Sequence, residues 1–184
     1  MKTLKYVTQL LLVLFALTNL ALAEDTAREI DSDTDSALSV FYHEVNGGQK
    51  YLEKAKGYVV FSDVKEAGFF LGGKYGEGAL RVEGKTKGYY SITSASVGFQ
   101  AGAQKYSLII AFTTPDALKK FMNDDDWETE MDFNIAMADW NNDEELDDVD
   151  FGSNMVGFVF DAKGMMGNFT MEGTRFERIT PDLD

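Results

Sequence analysis

The chain has 184 residues, with 17 basic against 31 acidic side chains, one histidine and no cysteine. That length suits one compact domain, and a formal net charge of −14 argues against a nucleic-acid binder, which needs clustered Lys and Arg. The absence of cysteine excludes disulfides, iron–sulfur clusters, thiolate zinc sites and a cysteine nucleophile, and the lone His43 removes most imidazole chemistry.

The N-terminus reads as a targeting segment. Lys2 and Lys5 precede the apolar run from Leu10 to Leu20, which closes on Ala21-Leu22-Ala23 before the acidic Glu24 and Asp25. This is the pattern of a secretory signal peptide cleaved after Ala23. The expected product is therefore soluble and periplasmic or secreted, with an acidic flexible lead over 24–35 and a single domain over 36–184.

All 17 glycines lie between Gly47 and Gly173, and none falls from Ala103 to Phe151. Glycine marks bulges and tight turns, so the glycine-free stretch has room for helix. Charge follows the same partition. Residues 124–150 hold 13 acids, and no Lys or Arg occurs between Lys120 and Lys163, whereas Lys50 to Lys120 holds 11 basic and 6 acidic residues. The molecule is expected to be bipolar.

In chain order, Ser36 is placed to cap a helix carrying Leu38, Phe41, Tyr42 and Val45 on one face. Asn46-Gly47-Gly48 interrupts it, and a short helix over Gln49 to Ala55 follows. Tyr58 to Phe61 and Ala67 to Leu71, separated by Ser62-Asp63, read as paired strands. Further strands are expected over Ala79–Glu83, Tyr89–Thr93, Ser96–Ala103 and Tyr106–Phe112. Thr114-Pro115 then opens a helix through Ala117, Leu118 and Phe121, with Thr114 as cap and Pro at the first position. The acidic middle, an insertion over about 123–150, is read as helical or irregular. Met155–Phe160, Met165–Met171 and Thr174–Ile179 complete the set, and short connections make the strands antiparallel.

Three runs carry a family resemblance: Ala55-Lys56-Gly57-Tyr58-Val59-Val60-Phe61, the stretch from Ala67 through Gly72-Gly73-Lys74-Tyr75-Gly76-Glu77-Gly78 to Leu80, and Ser96-Val97-Gly98-Phe99-Gln100-Ala101-Gly102-Ala103-Gln104. Together with the aliphatic strand Leu108–Phe112, the helix after Thr114 and Gly167-Asn168-Phe169-Thr170-Met171-Glu172-Gly173, this order resembles the SYLF domain family from about Tyr51 to Ile179. The family is a lipid-binding domain also found in yeast and animal actin-associated proteins. The chain departs from it at Ser62, where the family often has Pro, and in the acidic run after the helix. The resemblance implies an α+β fold with affinity for phospholipids. Actin, a partner of eukaryotic members, is not expected for an exported protein. The expected fold class is α+β: a strongly bent antiparallel sheet or small barrel with N-terminal and inserted helices.

Two surfaces are candidates for lipid. Lys50, Lys54 and Lys56 lie in or just after the short helix with Tyr51 and Leu52, and such a helix can rest on a membrane, each Lys contributing about 1 kcal/mol near anionic lipid. Lys85, Lys87, Tyr89 and Tyr90 form a basic turn beside aromatics that suit an interface, and Lys74 in the glycine run joins the set. That run lacks the GK[ST] ending and strand-to-helix context of a P-loop, so nucleotide binding is rejected. Asp139, Asn141, Asp143, Asp147 and Asp150 follow the register of an EF-hand calcium loop, but Glu144 stands for the turn glycine and Asp150 for the bidentate Glu. There is no G-x-S-x-G, no HExxH and no cofactor fingerprint. The expectation is a non-enzymatic, exported phospholipid-binding module without a cofactor, calcium being the one ion considered. The alternative is an acidic periplasmic scaffold for divalent cations or a basic protein partner.

Overall fold

A computed structural model describes residues 25–68, 71–97, 102–123, 126–128, 136–137, 152–164, 171 and 173–183. The signal-peptide segment 1–23 and the calcium-loop candidates lie outside these residues.

Helix α1 (Ala27–Glu44) begins earlier than expected. The Thr26 hydroxyl accepts the Glu29 N–H while the Glu29 carboxylate accepts the Thr26 N–H at 2.9 Å, a closed capping box. Ala27, Ile30, Thr34, Ala37, Leu38 and Phe41 then form one buried face. The lead expected to be flexible over 24–35 is thus helical from Ala27 onward. Ser36 is no cap, and its hydroxyl instead donates to the Ser32 carbonyl at 2.9 Å. Gly47, in the left-handed conformation at φ 77°, turns the chain into α2 (Gly48–Lys54).

Among the described residues the strands are β1 (Gly57–Gly68), β2 (Leu71–Val82), β3 (Lys85–Val97), β4 (Gly102–Phe112), β5 (Asp126–Glu128), β6 (Ala136–Met137), β7 (Met155–Gly164) and β8 (Thr174–Ile179), with α3 (Pro115–Asn123) after β4. They form one sheet in the order β5-β8-β3-β2-β1-β4-β7-β6, antiparallel except for the β6–β7 pair. The sheet is strongly curled but open, so the barrel alternative is not formed: three- and two-residue strands occupy its two ends instead of pairing with each other.

The Ser62-Asp63 turn expected between two strands is instead a bulge inside β1. Its register slips between Phe61 and Val64, and Asp63 takes φ 55°. A second bulge mirrors it across β4, where the β4–β7 register shifts and Asp161 takes φ 47°. Aspartate tolerates this left-handed backbone, and each bulge sharpens the local bend.

Helices cover both faces. On one, α1 and α2 pack Phe41, Tyr51 and Leu52 onto Val60, Ile109, Ala111 and Phe158, with Phe41 5.3 Å from Phe158 and 5.2 Å from Phe160 between ring centroids. On the other, α3 sets Phe121 against Phe112 at 4.9 Å and Tyr90 at 4.6 Å, over Phe61, Leu80, Ile110 and Phe176. Tight strand contact sets the sheet's shape at Gly78, where a Cβ would come within 2.1 Å of the Val60 carbonyl oxygen and 2.8 Å of Phe61 Cδ1. Since the nearest atom is backbone, no rotamer change relieves that clash. Gly78→Ala is expected to lower stability by roughly 1–3 kcal/mol or more in urea unfolding, while Gly84→Asn, at a turn with φ 72° that asparagine tolerates and nothing within 4 Å of a Cβ, loses less.

Candidate functional site

The antiparallel register gathers several of the predicted lysines at one end of the sheet. Gly57 opposes Phe112, Val82 opposes Lys85 and Phe112 opposes Met155, so the starts of β1, β3 and β7 share an end with the start of α3. Lys56, Lys85 and Lys87 belong to this end and are exposed, as are Lys50 and Lys54 on the helix leading into it.

Helix α3 gives this end its apolar surface. The Thr114 hydroxyl accepts the Ala117 N–H at 3.3 Å, and Pro115 occupies the first helical position, where its missing N–H costs nothing. Ala117 and Phe121 are buried. Leu118 and Met122, one helical turn apart, are half-buried and form a second stripe packed against the same core. That stripe overhangs the start of β1. The Lys56 N–H donates to the Phe112 carbonyl at 2.8 Å, and a Cβ on Gly57 would come within 3.0 Å of Leu118 Cδ1. Between them runs a groove of about 340 Å³ lined by Lys56, Pro115, Leu118, Lys119, Met122 and Asn123. Its floor is hydrocarbon and thioether, with an ammonium on each side.

Three of the remaining candidates lie elsewhere. Tyr90 is 2% exposed, in the core against Phe121, so it is no interfacial aromatic. Tyr89 is half-buried and its hydroxyl donates to Asp31 Oδ2 at 3.0 Å. Partial burial, then the hydrogen bond and charge of Asp31, push this phenol up, and Arg81 opposes the shift. Lys74 is buried at the far end of the sheet, in a cross-strand row with Glu66 and Gln104. Burial lowers its pKa while Glu66 opposes the change.

Tyr89 belongs to a network that pins α1 to the β2–β3 hairpin. Arg81 pairs with Asp31 Oδ1 at 3.2 Å and Asp35 Oδ1 at 2.8 Å and donates to the Thr86 hydroxyl, which itself donates to Asp31 Oδ1 at 2.7 Å. Asp31 is the hub, since Asp35 is 72% exposed. Asp31→Asn is expected to cost roughly 1–3 kcal/mol in urea unfolding, and Asp35→Asn clearly less.

Beside the start of α1, Asp25, Asp33, Asp63 and Glu77 line a polar cavity of about 230 Å³ together with Ser62, Lys65 and Tyr75. Glu77 accepts the Asp25 N–H at 3.1 Å and the Tyr75 hydroxyl, and Asp63 pairs with Lys105 at 2.6 Å. Among the described residues no group of three or more His, Asp or Glu is placed to hold a metal ion. Partial burial, followed by the charges of Asp63, Asp25 and Glu29, raises the Asp33 pKa, and Lys105 opposes this. A carboxyl raised in the folded state is neutral in both states at low pH and is penalised as it ionises, so its contribution weakens stability as pH rises through and above 3.8. Asp33→Asn is therefore expected to raise the thermal midpoint at neutral pH in low salt, with the gain fading below that value and in high salt.

Comparison with known families matches part of this α+β domain. A model of the Ysc84 family, described as Las17-binding protein actin regulator, matches residues 93–180. The match runs from inside β3 past the end of β8 and takes in α3, in agreement with the SYLF (Ysc84) resemblance read from the sequence. No curated protein matches the chain.

Sequence reading alone missed the groove. Leu118 was legible as part of an apolar helix, but its pairing with Lys56, 62 positions away, depends on the β1–β4 register. Lys119 and Met122 carried no signal of their own.

Proposed function

We propose that the protein is an exported, non-enzymatic module that binds phospholipid membrane surfaces through the lysine-bearing end of its sheet. The observation that carries this reading is the pairing of Lys56 and Lys119 with an apolar stripe on α3, at the end of the sheet where the exposed Lys85 begins β3. Ammonium groups edging hydrocarbon suit the boundary between headgroups and acyl chains. The match to the Ysc84 (SYLF) family model supports a lipid- or actin-related binding module, and the signal-peptide pattern over 1–23 favours lipid over actin. No described helix is long and apolar enough to cross a membrane, so contact by this route is from the surface. A strongly acidic chain opposes an anionic bilayer at long range, but screening beyond about 8–10 Å leaves the local lysines free to act.

Flotation of the chain from Glu24 to Asp184 tests this reading, using zwitterionic and anionic vesicles with either calcium or chelator. Binding to anionic vesicles in chelator, falling with salt, is expected. Reversing Lys54, Lys56 and Lys119 to Glu should weaken it about 100-fold, from about 1 kcal/mol per lysine. Binding that requires calcium and ignores the lysines would shift the function to the acidic scaffold, and binding to neither vesicle would refute the membrane reading.

A further inference from the structure

Several features of the α3 groove suit a single molecule better than a surface. Its lining comes from two elements, Lys56 before β1 and Pro115 to Asn123 along α3, so an elongated molecule can lie between them. Leu118 is set closely over the start of β1, where a Cβ on Gly57 would lie 3.0 Å from Leu118 Cδ1 and 3.1 Å from both Val82 Cγ2 and the Arg81 carbonyl oxygen. Its lining supplies few hydrogen-bonding groups other than Asn123 and the two lysines, so an extended peptide would leave its backbone unsatisfied there. Met122 adds an adaptable thioether at the open side.

The two groove lysines differ from the cations that the fold ties down by ion pairs. Arg81, Lys105 and Lys163 are committed to Asp31 and Asp35, to Asp63 and to Asp161. Neither Lys56 nor Lys119 has an ion pair among the described residues, and each stands on the groove's edge. In a chain of net charge −14 this is a local positive clamp over hydrocarbon.

We infer that the groove holds one acyl chain of an anionic amphiphile, with the chain along Pro115, Leu118 and Met122 and the anionic head between Lys56 and Lys119. The inference rests on the proposed lipid reading and narrows it from a surface to a bound molecule. Burial of methylenes supplies affinity in proportion to chain length, and the two ammoniums select a charged head.

The test uses the chain from Glu24 to Asp184 and dodecyl phosphate below its critical micelle concentration, followed by calorimetry and by methyl chemical shifts of Leu118 and Met122. Inorganic phosphate supplies the head alone and dodecyl maltoside the chain alone. Saturable one-to-one binding of dodecyl phosphate is expected, at least tenfold tighter than either control, with shifts concentrated on those two methyl-bearing residues. Met122→Gln, on the half-buried rim where the fold tolerates it, should weaken this binding at least fivefold while vesicle flotation changes less than twofold. Lys56→Gln and Lys119→Gln should weaken both. Vesicle flotation without saturable dodecyl phosphate binding would overturn the inference and leave the surface reading standing, whereas failure of flotation would remove that reading itself. Shifts elsewhere, or binding with several molecules per chain, would also overturn the inference. A dimer in sedimentation that Met122→Gln dissociates would do the same, by giving the groove to a second copy.

Discussion

The structure depends on one pair of strands being buried on both faces. In β1, Val59, Val60 and Phe61 are all fully buried, as are Leu108 through Phe112 in β4. Alternate residues of each strand therefore feed opposite cores, and neither core can form without a helix to close it. Helix α1, drawn upstream by its capping box, closes one with Phe41, and α3, which follows β4 after two residues, closes the other with Phe121. Because β1 and β4 are neighbours, the helix leaving β4 must pass the start of β1. The groove between Lys56 and Lys119 is a by-product of that adjacency.

Charge is arranged around the same frame. The Arg81 side chain, 11% exposed, is held by α1 carboxylates that are themselves partly in water, so the cost of its burial is met by several hydrogen bonds. The acidic N-terminal half of α1 is thus tied to the sheet by a cation. Lysines farther along the chain face the same division. Lys105 and Lys163 pair with the bulge aspartates, whereas Lys56 and Lys119 at the opposite end have no ion pair among the described residues. The spacing of charges along the sequence did not show which lysines are paired, because ion pairing here is set by strand register.

Much of the architecture was visible in the sequence. The α+β class, the antiparallel sense, the capped helix at Thr114 and the family resemblance rest on local patterns that tertiary contacts reinforced. The misses have physical causes. Ser62-Asp63 has turn chemistry, yet a strand paired on both sides absorbs it as a bulge. Thr26-x-x-Glu29 is a capping box within an acidic, Ser/Thr-containing run, and composition masked it. Tyr90 alternates with Tyr89 across the sheet, so of two adjacent aromatics one had to point into the core. The groove is non-local and left no mark that spacing alone reveals.

An open sheet has edges, and edges invite strand addition. Among the described residues β6 pairs with β7 only at Val156 and Gly157, which leaves the described strand beyond them as the natural place for a partner to add. The chain has built against that. Asp161 bends β7 out of register, and its N–H is taken by the Glu44 carboxylate from the end of α1 at 3.2 Å, so at this point the backbone donor is already satisfied and the strand no longer runs straight. At the other edge β5 covers β8 from Arg175 to Glu177, half of that strand's length. Recognition by added strands is therefore disfavoured where the sheet is longest. At the lysine-bearing end the half-buried stripe of Leu118 and Met122, packed on the core by one side, lies beside Lys56 and Lys119, and binding energy is best placed there.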